Sequence, residues 1–70
     1  MNTLYDVQEM LKKYGYINLF PNRLDAIKMM QIELSKMVEA GIFQKSDHVY
    51  LTARLILARE ERLDKENSNH

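Results

Sequence analysis

The sequence predicts an all-α domain built as a three-helix bundle. Three observations carry that reading. Punctuation is sparse: two Gly and one Pro in 70 residues suit a few long elements better than many short strands. Apolar residues recur at helical spacing in three separate segments. Each segment follows a capping residue, Thr3, Asn22 or Ser46, and the first two are closed by Gly15 and Gly41.

The first helix is expected over about residues 4–14. Thr3 is its N-cap, and Asp6 answers three residues on as a short capping box. Leu4, Val7, Met10, Leu11 and Tyr14 form its apolar face, and Gly15 follows as the residue that turns left-handed. Tyr16 to Pro21 reads as an extended connector pressed against the bundle. Pro21 disfavours helix at Phe20, and no second strand is present to pair with the segment.

The second helix is expected over 23–40, after the Asn22 cap, with Leu24, Ile27, Met30, Leu34, Met37 and Val38 as its core stripe. Ile42 to Lys45 connects it to a third helix over 47–65. Ser46 is the expected cap there, and Asp47 lies in the first turn, where the helix dipole favours a carboxylate. Val49, Tyr50, Ala53, Ile56 and Leu57 face the core, and residues 66–70 read as a frayed polar tail. Residues 1–70 thus form one domain.

Composition excludes several classes of protein. The chain has no cysteine and two histidines, so neither a disulfide nor a typical structural zinc site can staple it. A domain this short is marginal alone, which leaves helix packing, self-association or both. Lys and Arg total ten and so do Asp and Glu, unlike a strongly basic nucleic-acid or membrane-surface protein. No apolar run approaches the roughly 20 residues that span a bilayer. The N-terminus lacks the basic and apolar regions of a signal peptide, so the expected compartment is the cytoplasm and no membrane partner is expected.

Catalytic patterns are missing as well. Two isolated glycines cannot form a phosphate loop, and the chain holds no zinc-protease helix motif and no thiol nucleophile. His48 reads as a first-turn surface residue. The Asp6/Glu9 and Glu60/Glu61 carboxylates read as solvated faces. The expectation is a non-enzymatic binding module with no metal, no cofactor and no small-molecule substrate.

Two binding surfaces of different class suggest themselves. Lys12, Lys13, Arg23 and Lys28 stand against Asp25 alone, a local charge of +3, with Tyr14, Tyr16 and Phe20 interleaved. Lys12, Lys13, Tyr16, Arg23 and Lys28 are therefore candidates for binding single-stranded DNA or RNA, cations for phosphates and rings for bases. The competing reading has Tyr14 and Phe20 in the core and the lysines on a solvated face. A helix-turn-helix is disfavoured, because the connector from Gly41 to Ser46 exceeds its usual turn.

The second surface is apolar. Met29 and Ile32 fall off the core stripe of the second helix, and Leu51 and Leu55 lie opposite Ala53 and Ile56 on the third. These four are candidates for a protein interface, with a second copy or another protein. The competing reading makes the third helix central, with Leu51 and Leu55 serving a second core contact.

Tyr5-Asp6-Val7-Gln8, Leu11-Lys12 with Tyr14-Gly15 and Ile17, then Arg23-Leu24, Ile27, Met30 and Glu33-Leu34 form an ordered set. Tyr50, Ala53, Ile56-Leu57 and Arg59-Glu60 continue it. The set resembles the YqgQ-like family, short proteins of Gram-positive bacteria, over about residues 4–60. The resemblance implies a three-helix bundle and assigns no activity; single-stranded nucleic-acid binding is among the roles raised for the family. Where the family carries a Gly-Asp turn before the arginine, this chain has Pro21-Asn22, which stiffens the connector beside Arg23.

Overall fold

Thr3 opens the first helix with both halves of a capping box. Its hydroxyl oxygen accepts from the Asp6 N–H at 3.2 Å, and the Asp6 carboxylate accepts from the N–H groups of Asn2 at 2.9 Å and Thr3 at 3.1 Å. The computed structural model describes residues 1–67, with helices α1 (Leu4–Lys12), α2 (Arg23–Glu39) and α3 (His48–Asn67). The fold is the predicted three-helix bundle. α3 packs most extensively on α2 and also carries α1, so it is the central element.

Both helix ends that the glycines close share one geometry. After α1, Gly15 N–H bonds Lys12 O at 3.1 Å and Tyr16 N–H bonds Leu11 O at 3.2 Å, with Gly15 at φ +98°. After α2, Gly41 N–H bonds Val38 O at 3.0 Å and Ile42 N–H bonds Met37 O at 2.9 Å, with Gly41 at φ +78°. This pair of bonds around a left-handed residue is a Schellman motif, which glycine adopts without steric cost. α1 is regular only to Lys12, short of the expected residue 14, because the chain tightens into this motif. After α1, Tyr16 folds back to join Leu11 in the buried core, whereas Ile42 in the same position after α2 is 47% exposed.

α2 follows expectation closely. The Asn22 side chain accepts from Asp25 N–H at 3.1 Å. At α3 the predicted Ser46 cap is displaced by one residue. Asp47 takes the capping position, its carbonyl accepting the first helical bond from Leu51 N–H at 3.0 Å. Its carboxylate turns back to accept from Gln44 N–H at 2.8 Å, closing the connector. At its other end α3 runs past Lys65, so Glu66 and Asn67 of the expected tail are helical, while residues 68–70 of that tail lie outside the described residues. A Glu61–Lys65 pair at 3.5 Å one turn apart, with Lys65 in the last turn, favours that extension.

The core is assembled from Val7 and Leu11 of α1, Ile27, Met30, Leu34 and Met37 of α2, and Tyr50, Ala53, Ile56 and Leu57 of α3. Three residues expected there are outside it, and one of them, Leu24, is only partly buried at the start of α2. Val49, in the first turn of α3, is exposed, and Tyr14 is 53% exposed, packing edge-on against Phe43 with ring centroids 5.6 Å apart. Phe43, from the second connector, is buried in their place, as is Ala26. No helix of the described residues is long and apolar enough to cross a membrane.

Candidate binding surface

The predicted nucleic-acid residues stand in several local settings, with Arg23 and Lys28 both near the acidic second half of α3. Lys12 pairs with Glu9 at 3.1 Å on its own helix. Lys13 lines an open groove together with Val49 near the start of α3. Arg23 is held at the other end of α3, with Nη2 2.6 Å from Glu60 Oε1 and Nε 3.6 Å from Asp64 Oδ1. Lys28 is exposed and lies within electrostatic reach of Glu61, whose carboxyl is held below its usual value first by the Gln31 amide at 3.4 Å and then by Lys65 and Lys28. Tyr16, the proposed stacking ring, is 7% exposed and presents no face to a base. The ring packs with Leu11 in the core instead.

Of the predicted protein-interface residues, Leu51 and Leu55 lie one turn apart on α3. Ile32, Leu51 and Leu55 are exposed on the outer sides of α2 and α3, Leu55 at 71%. None of them borders the groove between those helices, a space of about 200 Å³ lined by Gln31, Ser35, Tyr50 and Arg54 among others. Met29 instead packs on the core and turns towards the α1–α2 connector.

That connector corrects the expectation of a segment pressed against the bundle. Only Tyr16 is buried. Ile17 is 68% exposed, Leu19 78% and Phe20 37%. The Phe20 N–H is taken by Asn18 Oδ1 at 3.1 Å ahead of Pro21. Among the described residues, the N–H groups of Ile17, Asn18 and Leu19 have no hydrogen-bond partner. Ile17, Leu19 and Phe20 wall a groove of about 290 Å³ whose other sides include Tyr16, Met29 and Glu33.

One charged side chain, Glu33, lines this groove beside Tyr16. The Tyr16 hydroxyl is buried and has no hydrogen-bond partner. Burial, and then the charge of Glu33, push its pKa above the ordinary tyrosine value. Glu33 Oε1 stands 3.6 Å from the exposed Lys36 Nζ. Sequence reading placed Tyr16 and Met29 among candidate site residues but on different surfaces, and it passed over Glu33. The usable signal was the glycine before Tyr16: the residue after a Schellman glycine is commonly apolar and folded inward, which sends its neighbours outward.

Among the described residues, no group of three or more His, Asp or Glu side chains comes close enough to hold a metal ion. Asp6 is held below its usual value by the N–H groups of Asn2 and then Thr3, as a capping carboxylate should be.

Fold and surface together define a small helical domain whose features lie in open grooves between its elements. The chain belongs to the YqgQ-like family, whose model matches residues 1–63. No curated protein and no solved structure matches it.

Proposed function

We propose that this chain is a non-enzymatic protein-interaction module that binds an extended apolar segment of another protein along its α1–α2 connector. The observation that carries the reading is the outward display of Ile17, Leu19 and Phe20 beside a groove. Contiguous apolar surface on a small domain marks interaction sites. The unpaired N–H groups of Ile17, Asn18 and Leu19 supply the main-chain donors that an added extended segment uses. The groups with displaced pKa values, Asp6, Tyr16 and Glu61, lie in three separate places with separate structural causes, which supports binding over catalysis.

The test is selection of a displayed random-peptide library on the full chain, with affinities then measured on a Leu19→Ser/Phe20→Ser variant. Apolar-rich peptides are expected to bind the unaltered chain and to lose about tenfold or more in affinity on the variant. Exposed positions keep the melting temperature close to that of the parent. Peptides that bind the variant as tightly as the parent would overturn the reading. Self-association by sedimentation velocity, abolished by the same variant, would instead make the occupant a second copy of this chain.

A further inference from the structure

Arg54 stands apart from the arginines that tie the helices together. Arg23 and Arg59 both end on Glu60, whereas Arg54 has no carboxylate within ion-pairing distance among the described residues. Its helical neighbours explain this. The positions three and four residues away are Tyr50, Leu51, Leu57 and Ala58, and none is acidic. Arg54 lines two adjoining spaces along the α2–α3 face, one of about 200 Å³ and one of about 410 Å³. Ser35 and Tyr50 line both as well. Their hydroxyls have no hydrogen-bond partner among the described residues, and neither is sealed in the core as that of Tyr16 is. Leu34, Leu57 and Ala58 make the smaller space apolar. The larger one adds Lys45, which also lacks a carboxylate partner among the described residues, and Glu39.

We infer that this α2–α3 groove binds a carboxylate carried on a short apolar stem, that of a free small acid or of the C-terminal residue of a peptide. The site is separate from the connector surface and does not depend on the reading given to it. The Arg54 guanidinium is a planar fork of donors that matches a carboxylate. The Ser35 and Tyr50 hydroxyls are free to donate to its oxygens, and Lys45 adds a second positive charge. The stem lies over Leu34, Leu57 and Ala58, in a space that suits a few carbons rather than a large ring system. Glu39 limits the charge of the ligand. Two cations against one carboxylate favour a single negative charge, and the further charges of a polyanion would meet Glu39. A cation would be repelled by Arg54 and Lys45, and a neutral amide would keep the apolar contact while losing the charge interaction.

The test is an amide-shift NMR titration of the full isotopically labelled chain with isocaproate, isocaproamide, N-acetyl-leucine and inorganic phosphate. Isocaproate is expected to shift the amides of Gln31, Ser35, Tyr50, Arg54 and Ala58, and to bind about fivefold more tightly than the amide of the same stem. Phosphate, which has no stem, is expected to bind more weakly than isocaproate. Arg54→Gln changes an exposed side chain and should bring isocaproate down to the level of the amide with the melting temperature unaltered. Glu39→Gln should instead strengthen isocaproate about twofold, since it removes the opposing charge. Tighter binding of N-acetyl-leucine than of isocaproate would assign the site to a peptide C-terminus, and the reverse order to a free acid. Equal binding of isocaproate and isocaproamide would overturn the inference, as would a preference for the carboxylate that survives Arg54→Gln. Phosphate binding as tightly as isocaproate would overturn the role of the apolar stem. Failure of every probe to move these amides would remove the site altogether.

Discussion

Arg23 Nη2 stands 2.6 Å from Glu60 Oε1, a contact across 37 residues that ties the first turn of α2 to the second half of α3. The same carboxylate meets Arg59 Nε through Oε2 at 3.4 Å, and Arg59 Nη2 donates to the Asn2 carbonyl at 2.9 Å. Glu60 thus joins α2 to α3 and, through Arg59, borders the residues ahead of α1. Its side chain is only 16% exposed, so its interactions are less screened than those of an ordinary surface pair.

A double-mutant cycle on Arg23→Ala and Glu60→Ala is therefore expected to give a coupling of about 0.5–1 kcal/mol by denaturant unfolding. Glu60→Ala alone should cost about 1 kcal/mol, more than Arg23→Ala, because it removes a carboxylate shared by two arginines that keep only their contacts with Asp64 and the Asn2 carbonyl. Each kcal/mol lowers the melting temperature by about 4–8 °C in a domain of this size. Strictly additive single losses would show that the pair is incidental.

The same contact bears on nucleic acid. An arginine already engaged by Glu60 and Asp64 has little to offer a phosphate, and the buried Tyr16 ring cannot stack. Labelled single-stranded DNA and RNA are expected to show no saturable micromolar binding by anisotropy at moderate salt. Arg23→Ala should change nothing in that assay. Binding that weakens linearly in log salt and disappears in Lys12→Ala/Lys13→Ala/Arg23→Ala would reverse this expectation and make the basic residues the site.

Tyr16→Phe should not destabilise the fold. Removing a buried hydroxyl that has no partner relieves its desolvation, a gain of about 1 kcal/mol, whereas Tyr16→Ala empties core volume and costs about 3 kcal/mol or more. The alkaline limb carries a second signature. The folded pKa of Tyr16 is raised, by burial first and Glu33 second. Its neutral form therefore contributes stability that is fully present below the unfolded value of about 10 and is lost as pH rises through the folded value. Urea midpoints of the phenylalanine variant should fall less steeply at high pH than those of the parent.

The fold was legible because local signals agreed with one another. Thr3 with Asp6, Asn22, Gly15 and Gly41 mark helix ends through hydrogen bonds made within a few residues. Ile27, Met30 and Leu34 repeat at the period that buries one helix face. The surface was much less legible. Wheel positions marked Leu55 as off the core, but they carry no information on whether Ile32, Leu51 and Leu55 share a groove. The connector failed for a related reason. Which of Tyr16, Ile17, Leu19 and Phe20 turns inward depends on the left-handed turn at Gly15, and composition treats the four alike. Arg23 contributed to a positive run in the sequence, while its neutralising partners Glu60 and Asp64 come from the far end of the chain.

The capping box at Thr3 makes the acid limb of stability a readout of one local structure. Asp6 accepts from the N–H groups of Asn2 and Thr3, and those bonds lower its pKa from the ordinary 3.8. A carboxylate lowered in the folded state contributes stability that is present above its unfolded value and lost as pH falls through the folded value. Glu61, lowered chiefly by the Gln31 amide, acts in the same direction. Denaturant midpoints should thus decline below about pH 4, and Asp6→Asn, which keeps the size but not the charge, should flatten that decline. Thr3→Ala removes the other half of the box, the acceptor for Asp6 N–H at 3.2 Å. Its cost is about 1 kcal/mol at neutral pH, with α1 fraying first in amide exchange. If Asp6→Asn leaves the acid limb unchanged, the proton uptake that drives acid unfolding must reside on other carboxylates, Glu61 first among them.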